Sequence, residues 1–272
     1  MIALLMLGIA LFVTEYLSEE KIQTKRTMVS ILAMVVGCFS KAVYIPFLAL
    51  YWLMPKDKFY SRRQKNLFKA GIFVLLILMF ASFILPLIGN VTSGAEVGDY
   101  RGGDTSQTSQ LSMILGYPLT YTGVLLKSLG TTFASYFIGS KVLANFAYRG
   151  IYDGIGYFVV LLTMLFTFVT DFGMTEKTYD AQMKRKILMM KIWNAVLIFG
   201  TACLVWTALY LDFTPVGSMV INGVSPRYYL PLIFPLSLIF INQKVRCSMK
   251  LENYQSLIAF LMLIGTGISI IV

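Results

Sequence analysis

The sequence predicts an all-α, polytopic transmembrane helical bundle, and three observations carry that prediction. Hydrophobic residues make up 57% of the chain and charged residues only 13%, about half the ~25% charge of an average soluble domain. Mean hydropathy is +0.74. The apolar residues fall in long runs separated by short polar connectors, which leaves too few charges to coat a soluble core and makes lipid the natural solvent. The formal net charge of +10 does not indicate nucleic acid as a partner, because the cations sit in the connectors, where they act as a topology signal.

Composition also narrows the chemistry. The chain has no histidine, so His-based triads and histidine metal sites are excluded, and a general base must come from Asp, Glu, Lys or Tyr. Cys38, Cys203 and Cys247 are isolated, with neither a disulfide framework nor metal-ligand spacing. No cofactor and no metal are expected.

Taken in order, Met1–Val13 is apolar but shorter than the ~20 residues of a full span, and it lacks a basic n-region and cleavage site. The expectation is that the chain begins inside a helix and is N-terminally incomplete. The connector EYLSEEKIQTKR brings Lys21, Lys25 and Arg26, and PKDKFYSRRQKNLFK after Pro55 brings the densest basic cluster; both read as cytoplasmic. Residues 28–54 between them are apolar apart from Ser40 and Lys41. A re-entrant hairpin bending near 39–41 returns both connectors to the same side, with its bend protected by protein or water. One long tilted helix with Lys41 snorkelling is the alternative.

Ala70–Gly89 is a clean span leading outward, and NVTSGAEVGDYRGGDTSQTSQ after it is the most polar stretch of the chain. Pro118–Ile138 is placed on the outer interface or re-entering, because an even number of crossings must separate the flanking basic loops. Residues 90–150 thus form a large external region, the kind of feature that carries function. Ile151–Val169 returns inward, Ile187–Leu211 goes out, Arg227–Ile241 goes in and Tyr254–Val272 goes out. The domain organisation is therefore a single transmembrane domain over 1–272, with about six spans plus the hairpin.

On the outer side this scheme gathers Glu96, Asp99, Asp104, Asp153 and Asp212 with Arg101, Lys127, Lys141, Arg149 and Arg227. Most of the remaining Lys and Arg fall in the four inner loops, and Lys41 lies within the membrane. Cations at such a site can hold the phosphate of a lipid-linked substrate, and a carboxylate can activate an acceptor hydroxyl. Ordinary solvated loop charge is the competing reading for Glu96, Asp99, Lys141 and Arg149. Arg227 stands out as the one cation between Lys191 and Lys244, and Lys41 stands out by its depth. Pro226, Pro231 and Pro235 break or kink the helix that follows Arg227.

Three stretches carry a resemblance: SKAVYIPFLALYWLMPKDKF at 40–59, TSQLSMILGYPLTY at 108–121 and NGVSPRYYLPLIFP at 222–235. In matching order and spacing they resemble a domain-of-unknown-function family of bacterial polytopic membrane proteins. That family is similar to the GT-C glycosyltransferases, which take sugars from polyprenyl-phosphate carriers at the outer face of the membrane. The resemblance implies a GT-C-like fold in the bacterial plasma membrane and a polyprenyl-phosphate-linked sugar, with membrane lipid, as partners. It carries Lys41, Arg227 and Tyr228 over as contacts for the lipid phosphate; Gln110 matches the loop pattern without a known role, and Asp104 and Arg101 lie in the same external loop. Ser225-Pro226 departs from the Gln-Gly pair expected before the Arg-Tyr. In the GT-C group the catalytic acid sits in the first external loop; the expectation is that this chain begins after that part, so the resemblance hands the role to no residue here.

The expected activity is transfer of a sugar from a polyprenyl-phosphate donor to a cell-envelope glycan or lipid. A transporter or flippase for lipid-linked glycans, using the same cations, and a non-catalytic remnant are the alternatives.

Overall fold

The structure, a computed structural model, describes residues 2–39, 41–92, 104–143, 154–169, 180–240 and 249–271. Every regular element among the described residues is helical. The chain divides into two compact units, one of residues 1–131 and 186–225, the other of 132–185 and 226–272.

The first unit opens on an antiparallel pair, α1 (Ile2–Leu17) and α2 (Thr24–Cys38). Glycine permits the close approach: a Cβ on Gly8 would lie 2.9 Å from both the Met34 nitrogen and the Ser30 carbonyl oxygen, and one on Gly37 would lie 2.7 Å from the Leu5 nitrogen. In lipid no hydrophobic effect drives helices together, so small residues that let backbones touch take over that role. The Ser30 hydroxyl exploits the contact by donating to the Gly8 carbonyl at 2.6 Å.

Residues 28–54 do not form one continuous helix. Helix α2 ends at Cys38, and from Ala42 the chain runs as a 3₁₀ helix, Ala42–Leu53. Runs of this length are uncommon because the hydrogen bonds are poorly aligned; here burial holds the run, with Tyr44, Ile45, Phe47, Leu48, Leu50 and Tyr51 each no more than 3% exposed. Its 12 residues extend about 24 Å at ~2.0 Å per residue, where an α-helix would cover about 18 Å. It runs back along α2: Tyr51 donates to the Ser30 hydroxyl and packs edge-on against Phe12 at 5.1 Å.

The two basic connectors therefore meet. The Ile22 N–H donates to the Lys58 carbonyl at 2.9 Å, and the Lys21 ammonium donates to the Asp57 carbonyl at 2.8 Å. Lys58, 1% exposed, donates to the Ser18 carbonyl and hydroxyl, both at 2.6 Å, and to the Glu20 carbonyl at 3.0 Å. Burial pulls the Lys58 ammonium below the ordinary lysine range, against a smaller upward pull from Glu15. Glu15 is itself buried, accepting from the Gln23 N–H at 2.9 Å and lying 3.5 Å from Arg26.

Next comes α3 (Arg62–Thr92), whose start is closed by reciprocal bonds: the Gln64 N–H donates to the Ser61 hydroxyl, and the Tyr60 N–H to the Gln64 side chain. Phe73, Val74, Ile77 and Leu78 on α3 are all at least 50% exposed, as are Ile192, Val196 and Phe199 on α8 (Ala181–Phe213). Such surfaces would aggregate in water and suit hydrocarbon. Among the described residues, Arg62–Pro86 and Ala181–Phe213 are long and apolar enough to cross a bilayer. The unit also holds α4 (Gln107–Gly116) and most of α5 (Pro118–Phe137).

The second unit contains α6 (Ser140–Leu143), α7 (Ile155–Val169), a 3₁₀ turn at Pro226–Tyr229, α9 (Leu230–Ile239) and α10 (Leu251–Ile271). Helices α7 and α10 pack antiparallel: a Cβ on Gly265 would lie 2.9 Å from Val160, and the rings of Phe166 and Tyr254 are 5.8 Å apart. Tyr229 is enclosed by edge-on contacts with Tyr136 and Phe137 at 5.4 and 4.8 Å.

Candidate functional site

In the first unit, α4 starts at the Ser106 N-cap, whose hydroxyl accepts from the Ser109 N–H at 3.3 Å. Three residues apart, Gln107 and Gln110 share a helix face, and both turn that face to the end of α8. Gln107 donates from Nε2 to the Asp212 carboxylate at 2.6 Å. Gln110, fully buried, donates from its own Nε2 to the Thr214 and Pro215 carbonyls at 2.9 and 3.0 Å. Among the described residues, the side-chain oxygen of Gln110 has no hydrogen-bond partner.

The segment that follows α8 is closed on itself by Thr214. Its hydroxyl donates to the Leu209 carbonyl at 3.1 Å and accepts from the Asn222 N–H at 3.0 Å. Asp104 contributes through its backbone, its carbonyl accepting from the Val216 N–H at 3.2 Å, while its side chain is exposed. Beneath this layer the Tyr121 and Thr207 hydroxyls lie 2.6 Å apart, and the Tyr121 and Tyr210 rings are 5.0 Å apart.

Beside the Gln107–Asp212 pair lies a cavity of ≈ 350 Å³. Its wall is mainly apolar, from Phe80, Phe83, Leu204 and Leu211, and its polar part comes from Gln107, Thr207 and Asp212. Ala42 and Val43, which directly follow Lys41, line it as well. The arrangement can seat the apolar part of an amphiphile while presenting one carboxylate, an amide and a hydroxyl to its polar part.

Lys41 is half-buried at the break before the 3₁₀ helix, its N–H donating to the Cys38 carbonyl at 2.9 Å. Arg227 and Tyr228 belong to the second unit, on the 3₁₀ turn, with Arg227 exposed and Tyr228 half-buried. Arg101 lies outside the described residues, as do Glu96, Asp99, Arg149 and Asp153. Gln110 and Asp104 are thus brought together with Asp212 around 214–216. Gln107 and Thr207 were not singled out from the sequence; the spacing of Gln107 to Gln110 was the available signal, since it places two amides on one helix face.

Among the described residues, helices with apolar outer faces, two of them long and apolar enough to cross a bilayer, are those of an all-α membrane protein. More particularly, the chain belongs to the family described as "Predicted membrane protein (DUF2142)", whose model matches residues 1–236. No curated protein and no solved structure matches the chain.

Proposed function

We propose that this protein is a multi-pass plasma-membrane glycosyltransferase of GT-C type, transferring a sugar from a polyprenyl-phosphate donor to a cell-envelope glycan or lipid. The observation that supports it is the cavity beside Asp212: an apolar trough ending in a carboxylate, an amide and a hydroxyl matches the two-part chemistry of a lipid-linked sugar. In this reading Lys41 contacts the lipid phosphate, with Asp104 and Gln110 in the same unit; the resemblance alone makes Arg227 and Tyr228 further phosphate contacts. Asp212 accepts the proton of the acceptor hydroxyl as its oxygen bonds to the anomeric carbon. The bond from that carbon to the phosphate oxygen breaks, and the polyprenyl phosphate leaves with the electron pair. The Gln107 amide keeps the Asp212 carboxylate oriented.

The test is reconstitution of the full chain in proteoliposomes with a labelled polyprenyl-phosphate sugar and a membrane extract as acceptor. Transfer of label to a new glycosidic bond, with release of polyprenyl phosphate, is expected. Asp212→Asn should lower it about 10²-fold or more at unchanged melting temperature, and Lys41→Ala should raise KM. Movement of labelled donor across the bilayer without product would replace the enzyme with a flippase, and neither activity would leave a non-catalytic protein.

A further inference from the structure

A second pocket lies at the opposite end of α3 from the Asp212 cavity. The Asp212 cavity touches α3 at Phe80–Ile84, whereas this one surrounds the helix start, about 30 Å away at ~1.5 Å per residue. It is a cavity of ≈ 400 Å³ lined by Lys56, Phe59, Tyr60, Ser61, Arg62 and Lys65, within the range of ~300–1,000 Å³ typical of small-molecule sites.

The charges around it are unbalanced. Among the described residues, the side chains of Lys56, Arg62 and Lys65 make no ion pair or hydrogen bond, whereas three carboxylates of the first unit, Glu15, Asp57 and Glu20, are engaged elsewhere. Glu15 is paired with Arg26 at 3.5 Å, Asp57 with Lys186 at 3.3 Å, and Glu20 accepts from Gln23 at 2.6 Å. Three like charges gathered round one cavity repel, and an anion placed among them removes that cost. The Arg62 guanidinium offers a two-pronged donor to phosphate oxygens, and the lysines add point charge. Ser61, whose oxygen accepts from the Gln64 N–H, keeps its own proton to donate. Tyr60 is 76% exposed beside the pocket, the placement of an aromatic at a headgroup boundary.

We propose that this pocket is a binding site for a phosphate ester, supplied either as the headgroup of an anionic membrane lipid or as a free phosphomonoester. It is independent of the sugar-transfer site and of that reading.

The test uses the full chain in neutral detergent micelles, with binding read by native mass spectrometry and calorimetry. The probes are dioctanoyl phosphatidylglycerol, dioctanoyl phosphatidylcholine and glycerol 3-phosphate. The anionic lipid should bind at least about tenfold more tightly than the zwitterionic one. Lys56→Gln and Arg62→Gln, both at exposed positions, should each weaken it several-fold with melting temperature unchanged. Arg63→Gln, which removes a neighbouring cation outside the pocket lining, should leave binding at the wild-type level. If glycerol 3-phosphate binds as tightly as the lipid, the pocket takes free phosphate esters; if only the lipid binds, it takes headgroups. The proposal is overturned if wild-type protein fails to distinguish the two lipids and ignores glycerol 3-phosphate, or if Arg63→Gln weakens binding as much as Arg62→Gln.

Discussion

The α1–α2 seam makes a prediction whose sign can be worked out atom by atom. Gly8→Ala adds a Cβ that would lie 2.5 Å from the Met34 Cγ and 2.9 Å from the Met34 nitrogen and the Ser30 carbonyl oxygen. The Met34 side chain can rotate, but the nitrogen and the carbonyl are helix backbone. Ordinary contact begins near 3.4 Å, so α1 must withdraw from α2 by roughly half an ångström, loosening contacts along the seam. Intrinsic helix propensity favours alanine by about 1 kcal/mol, whereas overpacking costs about 1–3 kcal/mol. The net expectation is a loss of up to about 2 kcal/mol, and Gly37→Ala, facing Leu5 backbone at 2.7 Å, behaves alike. Gly71 has nothing within 4 Å of an added Cβ, so Gly71→Ala is neutral or gains up to about 1 kcal/mol. Cys38 is buried at this seam, so exposure of its thiol to a maleimide dye during heating, in a Cys203→Ser, Cys247→Ser background, reports the unfolding. If Gly8→Ala melts at or above the parent temperature, as Gly71→Ala should, the close-packed seam is refuted.

Further perturbations test the polar contacts. Gln110→Leu orphans the Thr214 and Pro215 carbonyls and should cost about 1–3 kcal/mol in detergent unfolding. Gln110→Glu should cost more at neutral pH, since a carboxylate would face two carbonyls; its deficit should shrink on acidification, when the carboxyl regains a proton to donate. Lys58→Met removes three hydrogen bonds and should lower stability by about 1–3 kcal/mol at neutral pH. Because the folded-state pKa of Lys58 lies below its ordinary 10.5, the unfolded chain holds more protons between the two values, and stability rises with pH there. Melting curves should therefore show the wild type gaining on Lys58→Met as pH climbs toward 10.5, and a gap that narrows would contradict the assignment. Tyr51→Phe should cost about 1 kcal/mol by leaving the Ser30 hydroxyl without its donor.

Helices were legible in the sequence wherever an apolar run was long. Ala70–Gly89 lies inside α3, Ile187–Leu211 inside α8, and Tyr254–Val272 overlaps α10, because an apolar run of that length with few charges is long enough to cross a bilayer as one helix. The break near Lys41 was legible as well, since Ser40-Lys41 interrupts the run. That the chain continues as a long 3₁₀ helix was not, because only the buried packing of residues such as Tyr44, Phe47 and Tyr51 makes so poorly bonded a helix tenable. Polar positions were least legible. Gln107 and Asp212 are 105 residues apart, and no local pattern ties an amide in one polar stretch to a carboxylate at the end of a distant helix.

By itself, then, the sequence determined that this chain is helical and built for lipid, since apolar content, run length and the placement of cations are local properties that need no folding to be counted. It also marked Lys41, Arg227 and the polar stretch before Gln110 as unusual, because charge beside apolar residues is visible one residue at a time. Only the tertiary structure decided that Gly8 and Gly37 are seam residues, that Lys58 is buried under three acceptors, and that Asp212 stands at an apolar cavity held by Gln107. Those are properties of pairs distant along the chain, and they come into being when packing brings the partners within the few ångströms over which hydrogen bonds and van der Waals contacts act.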